Sequence, residues 1–158
     1  MLNFVSSAMG VLNHPERVAV YPVEFGKSNV ILWNNNVTIN QIQSYISSIT
    51  QWGFSIWGAG QIMNEVMYIT QTAPTPISII FFITDTSGPD LYYIKDYLDG
   101  WSPRVRITFV LVGPKADSAP LRKFSTKYHY IYWPDLSQPQ PDNWAALSNL
   151  VYGCESLN

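Results

Sequence analysis

The chain has 158 residues, of which 47% are apolar and 13% are charged, and its formal net charge is -2. This length and composition predict one globular domain over residues 1–158 rather than a disordered chain. The absence of a basic cluster argues against a nucleic-acid partner, and the longest apolar run is too short to insert into a membrane. Residues 1–17 do not show the basic start and long apolar core of a signal peptide.

The first third of the chain predicts a helix, a strand hairpin and a second helix. Apolar residues on one face favour a first helix that ends at residues 13–15. Apolar runs at 18–25 and 29–33, separated by a Gly-Lys turn, predict an antiparallel hairpin. Thr38 and Gln41 then have the spacing of a capping box, which indicates the start of an amphipathic helix. The apolar stripe of that helix consists of Ile39, Ile42, Ile46 and Ile49.

The rest of the chain alternates helices with strands. The predicted strands cover residues 77–84, 105–112 and 129–133. The predicted helices cover 59–67, 89–99, 117–124 and a final segment capped by Asp142. This order predicts an α/β fold. We expect a three-layer, doubly wound, Rossmann-like sheet that is mostly parallel, with one antiparallel edge strand from the hairpin.

Asp85 is the first residue to consider for function. The strand at 77–84 is almost entirely apolar, which suits burial on both faces, and Asp85 opens the polar loop that follows it. Ligands of parallel sheets bind at the carboxyl ends of the strands, so this position favours a binding role. Capping of the next helix, or closure of an Asx turn, explains the same residue without a ligand.

Two further positions bear on localisation. Asn36 opens the sequon Asn36-Val37-Thr38 in a polar loop, which predicts a glycosylation site and a secreted, extracellular protein. Cys154 is the single cysteine of the chain. It is therefore either a reduced thiol or half of a disulfide to another domain or chain.

Four segments carry a family resemblance when they are taken together and in order. They are the hairpin at 17–33, the Gly-rich loop at 53–58, the strand and loop at 79–86, and the strand at 105–113, which ends in a Val-Gly pair. In this combination the chain resembles the von Willebrand factor type A domain, also called the integrin I-like domain. The resemblance covers nearly all of the chain, but the family's first strand and its Asp-x-Ser-x-Ser loop have no counterpart in it.

Members of this family bind Mg²⁺ or Mn²⁺ at a metal-ion-dependent adhesion site, in loops at the carboxyl ends of the strands. Carried onto this sequence, the resemblance implies Asp85 and Ser55 as metal ligands and Trp57, Thr86 and Ser87 as ligand-binding residues. One carboxylate and one hydroxyl are few protein ligands for Mg²⁺. We therefore expect the metal-dependent site to be degenerate.

The resemblance implies a noncatalytic, extracellular-type adhesion module whose partner is a protein or matrix ligand. One alternative is an A domain that binds partners without metal through loops rich in tryptophan; the candidates are Trp33, Trp52, Trp57 and Trp101. A less favoured alternative is a hydrolase using Ser55, Asp85 and His129, but the chain has no nucleophile elbow. A further alternative is an oligomer in which chains exchange a central strand or are linked by a disulfide through Cys154.

Overall fold

The computed structural model describes residues 1–22, 30–34, 36–50, 63–64, 66–69, 71, 77–87, 98, 105–123 and 127–152. The chain divides into two compact units, Met1–Met63 and Asn64–Asn158, and each is described by itself. The single domain over 1–158 stays a prediction. Within the described ranges, no helix combines the length and the apolar character needed to span a membrane.

Two helices, α1 (Leu2–Met9) and α2 (Ile39–Ser48), pack together in the first unit. Side-chain to backbone hydrogen bonds join them, because Ser6 Oγ donates to the Gln43 carbonyl at 3.1 Å and Gln43 Nε2 donates to the Ser6 carbonyl at 2.9 Å. Our prediction that α1 continues to residues 13–15 is wrong. A Cβ at Gly10 would lie 2.9 Å from Gln43 Nε2, so any larger residue would have to displace the end of that side chain. Glycine is also a poor helix former, and α1 ends at the residue before it.

The start of α2 confirms the predicted capping box. Thr38 Oγ1 accepts a hydrogen bond from the Gln41 amide at 3.3 Å, and the Gln41 side chain accepts one from the Thr38 amide at 2.8 Å. Ile42 and Ile46 of the predicted stripe are buried with Ile31 in the core of this unit. The partly buried residues packed against this core are Leu2, Val5, Met9, Val18, Val20, Val37, Ile39 and Tyr45.

The predicted hairpin is described only in part. A short 3₁₀ helix, Pro15–Arg17, precedes an isolated antiparallel bridge between Val20 and Ile31. Both bridge hydrogen bonds are present, at 2.9 and 3.1 Å. The antiparallel pairing is therefore confirmed at this bridge, while the predicted turn lies outside the described residues.

The second unit contains a parallel sheet of three strands in the order β1 (Ile77–Ile83), β2 (Val105–Val112) and β3 (His129–Trp133). An α/β fold with a parallel sheet is therefore confirmed. The bounds of β2 and β3 are those predicted, and β1 ends one residue earlier than predicted. Strand β2 is buried along nearly its whole length, which agrees with its apolar sequence and its two strand neighbours.

One face of the sheet carries an aromatic row formed by residues in register on the three strands. Phe81 stacks on Phe109 with ring centroids 5.3 Å apart, and Phe109 stacks on Tyr130 at 5.9 Å. Helix α3 (Ala119–Arg122) lies over this face, because the Arg122 guanidinium is 4.7 Å from the centre of the Tyr130 ring. Arg122 thus makes a cation–π contact with Tyr130, the ring that β3 contributes to the row.

The opposite face contacts helix α4 (Trp144–Tyr152). Side chains alternate along a strand, so Arg106 on β2 points away from the face that carries Phe109. Its Nη1 donates to the Leu150 carbonyl at 3.1 Å, near the end of α4. Our prediction that Asp142 caps this helix is wrong. The Asn143 carbonyl accepts the first helical bond, and the Asp142 amide instead donates to the Tyr132 carbonyl at 3.2 Å.

Candidate functional site

An aspartate follows each of the three parallel strands at their common carboxyl edge. Asp85 follows β1, Asp117 follows β2 and Asp135 follows β3, and all three side chains are exposed. Each Oδ1 accepts a hydrogen bond from the backbone amide two residues later, at 2.8, 3.0 and 2.9 Å respectively. The edge thus presents three Asx turns, in which local hydrogen bonds hold the carboxylates in place.

Asp85 makes two hydrogen bonds through a single oxygen. Its Oδ1 accepts from the Ser87 hydroxyl at 2.6 Å as well as from the Ser87 amide. The Ser87 hydroxyl and then its amide hold the pKa of Asp85 below the ordinary value, and the positive charge of Lys115 acts in the same direction. Among the described residues, the second carboxylate oxygen has no hydrogen-bond partner, and the Asp85 side chain is exposed.

Thr86 connects the loop after β1 to the loop after β2. Only 4% of this residue is exposed. Its hydroxyl donates to the Lys115 carbonyl at 3.4 Å and accepts from the Asp117 amide at 2.8 Å, while its own amide donates to the same carbonyl at 3.2 Å. The hydroxyl of Thr86, a residue that we predicted to bind a ligand, therefore joins two loops.

The described donors do not fit an octahedral shell around Mg²⁺ or Mn²⁺. Asp85 offers one carboxylate oxygen that no described residue contacts by a hydrogen bond, and the adjacent Ser87 hydroxyl already donates its proton to the other oxygen. In the described part of the chain, no group of three or more His, Cys, Asp or Glu residues is arranged to hold a metal ion. Such ions prefer six oxygen ligands in near-ideal geometry, and the described residues at this edge supply fewer than that.

The other predicted site residues divide into two groups. Ser55, Trp57 and Cys154 lie outside the described residues, as does the whole Gly-rich loop at 53–58. Asn36 is exposed in the first unit, ahead of the capping residue Thr38. The structure thus places Asp85, Thr86 and Ser87 together, and the roles of all these residues stay predictions.

The sheet register separates two members of the hydrolase alternative. His129 is the first residue of β3 and is level with Thr108, which is level with Ile80 on β1. Asp85 lies five residues beyond Ile80, which is about 16 Å along an extended strand. The pKa of His129 is lowered first by burial and then by the charge of Arg106, away from the Asp85 edge.

A cluster that the sequence analysis missed lies beside this edge. Buried Ser118 accepts hydrogen bonds from Tyr132 Oη at 2.9 Å and from Arg122 Nε at 3.1 Å. The side chain of Ser118, and after it that of Arg122, lowers the pKa of Tyr132. Tyr132 and Leu136 are 43% and 53% exposed, so apolar surface adjoins the Asx turn of Asp135. The alternation along β3 and the Asp-x-Ser spacing at 135–137 could have indicated this surface.

Comparison with known proteins does not identify a family for this chain. The chain matches no protein-family model, and no curated protein matches it in sequence.

Proposed function

We propose that this chain is a noncatalytic, extracellular-type protein-binding module with a von Willebrand factor A-like, Rossmann-like fold. The observation that carries the proposal is the carboxyl edge of the sheet, where three exposed carboxylates are held in Asx turns beside exposed Tyr132 and Leu136. Binding sites of parallel α/β sheets lie at this edge. The consecutive strand order and the helices on opposite faces support the three-layer architecture.

The geometry favours binding that does not depend on a metal ion. Each Asx turn fixes a carboxylate before a partner arrives, which reduces the ordering that binding must impose. The exposed aromatic and aliphatic side chains provide apolar contact area of the kind found in the centres of interfaces. A protein partner would therefore place hydrogen-bond donors against the carboxylates and apolar groups against Tyr132 and Leu136.

The site does not resemble a hydrolytic centre in the part of the chain that is described. Asp85 and His129 are separated along the sheet, and Asp85 is held in an exposed turn with its pKa lowered rather than raised. A general base requires contact with the group it deprotonates. Binding is therefore the function that we propose for this edge.

A binding panel of secreted and matrix proteins tests the proposal. The immobilised chain is compared with Asp85→Asn, Asp135→Asn and Leu136→Ala. The control is Glu16→Gln in the first unit, because Glu16 is also a surface carboxylate, with 47% of its side chain exposed. We expect at least one protein to bind, with a loss of about tenfold or more, near 1.4 kcal/mol, in the edge variants alone. A chelator should leave the binding unchanged. Binding that is equally strong in the wild type and the edge variants, or that a chelator abolishes, contradicts the proposal.

A further inference from the structure

The sequon at Asn36 coincides with the amino-terminal cap of α2. Asn36 and Thr38 are exposed, whereas Val37 between them packs against the core of Ile31, Ile42 and Ile46. A bulky group on the Asn36 side chain would therefore extend into solvent and displace no core residue. The surface position agrees with what an acceptor asparagine requires.

We propose that Asn36 is an N-glycosylation site and that its modification precedes the folding of α2. The sequon requires the hydroxyl of Thr38 as well as the Asn36 amide. In the folded chain that hydroxyl is engaged twice, because Thr38 Oγ1 accepts from the Gln41 amide at 3.3 Å and donates to Gln41 Oε1 at 3.1 Å. The glycosylating enzyme and the helix cap therefore compete for one hydroxyl group.

The modification is a group transfer without redox change. A bond forms between Asn36 Nδ2 and the anomeric carbon of an oligosaccharide, and the bond between that carbon and a lipid-linked diphosphate breaks. The diphosphate leaves with the bonding electron pair, and the amide nitrogen releases one proton to solvent. The co-reactant is thus a lipid-diphosphate-linked oligosaccharide, which is encountered in a secretory compartment. This inference concerns the first unit and does not depend on the function proposed for the sheet edge.

The first test uses the protein purified from its natural source. Treatment with a peptide N-glycosidase in heavy-oxygen water converts a glycosylated Asn36 into an aspartate that carries one heavy oxygen atom. We expect mass spectrometry to find this conversion in the peptide that contains Asn36. An unmodified Asn36 in the native protein overturns the proposal.

Variants of the full chain, directed into the secretory pathway of eukaryotic cells, separate the sequon from the cap. Asn36→Gln removes the acceptor and keeps the cap, Thr38→Asp removes the sequon and keeps a strong capping residue, and Thr38→Ser keeps both. We expect the glycan mass shift in the wild type and Thr38→Ser, and its complete loss in the other two. A shift that persists in Thr38→Asp contradicts the assignment to Asn36.

The order of events is tested with purified acceptors. The folded, unmodified chain and a synthetic peptide of residues 30–50 are offered to the same oligosaccharyltransferase and donor. Because a cap of typical strength reduces the population of the free hydroxyl, we expect the folded chain to react about fivefold or more slowly. Equal rates for the two acceptors would show that the cap does not control the modification.

Discussion

Two threonines do different work in the two units of this chain, although both use their hydroxyl groups to satisfy backbone amides. Thr38 is exposed, and both described hydrogen bonds of its hydroxyl reach Gln41, three residues away. Thr86 is buried, and its hydroxyl contacts Lys115 and Asp117, which are 29 and 31 residues away. Thr38 is therefore a local helix cap, and Thr86 joins the loop after β1 to the loop after β2.

The difference explains why the sequence indicated the hydrogen bonds of Thr38 and gave no sign of those of Thr86. A capping box is defined by spacing along the chain, so the sequence contains the whole pattern. The partners of Thr86 become neighbours only after β1 and β2 have paired in parallel. Its role depends on tertiary structure that no short motif encodes.

The largest effect should come from removing the hydroxyl of Thr86. Thr86→Val keeps the shape of the side chain but leaves the Asp117 amide without its acceptor. We expect a loss of about 1–3 kcal/mol in the free energy of unfolding, measured by urea denaturation. Thr86→Ser is the control and should recover most of the loss. Equal stability of the valine and serine variants would mean that the loop connection contributes little.

A smaller loss is expected from Gly113→Ala, which alters the turn leading to Lys115. Gly113 has a φ of 80°, and an added Cβ would meet no atom within 4 Å. The cost is therefore backbone strain alone, about 1–2 kcal/mol by urea denaturation. Gly113→Asn should cost less, because asparagine tolerates this conformation better. A neutral alanine variant would show that the turn relaxes freely.

The local cap should respond by a still smaller amount. Thr38→Val removes the acceptor of the Gln41 amide at an exposed site, so we expect a loss of about 1 kcal/mol. Far-ultraviolet circular dichroism during urea denaturation measures it, and Thr38→Asp should be nearly neutral. If Thr38→Val costs more than Thr86→Val, the contrast between local and long-range threonines is wrong.

The smallest change concerns the titration of Asp85. Its lowered folded pKa contributes stability above the unfolded pKa, and this contribution is lost as pH falls through the folded pKa. Ser87→Ala removes the leading cause, so the pKa of Asp85 should rise towards the ordinary value of an aspartate. Carboxyl-carbon NMR titration measures this, and Ser137→Ala should shift Asp135 instead. An unchanged Asp85 in Ser87→Ala would contradict the hydrogen-bond assignment.

The elements with strong local patterns could be predicted from the sequence, and the details of the edge could not. The bounds of β2 and β3 followed from apolar runs, and the Asx turn at Asp85, one of the two interpretations without a ligand, is confirmed. The end of α1 was missed because it depends on the approach of Gln43 to Gly10. The cluster around Ser118 was missed because β3 and the loop after β2 bring its members together.

We propose that hydrogen bonds within the protein, and not a metal ion, hold the carboxylate of Asp85 in place. A thermal melt of the chain in millimolar Mg²⁺ or Mn²⁺ and again in chelator, with Asp85→Asn alongside, tests this proposal. A firmly bound ion must raise the Tm by mass action. We expect the same Tm in all these solutions. A rise in Tm with metal that disappears in Asp85→Asn would contradict it.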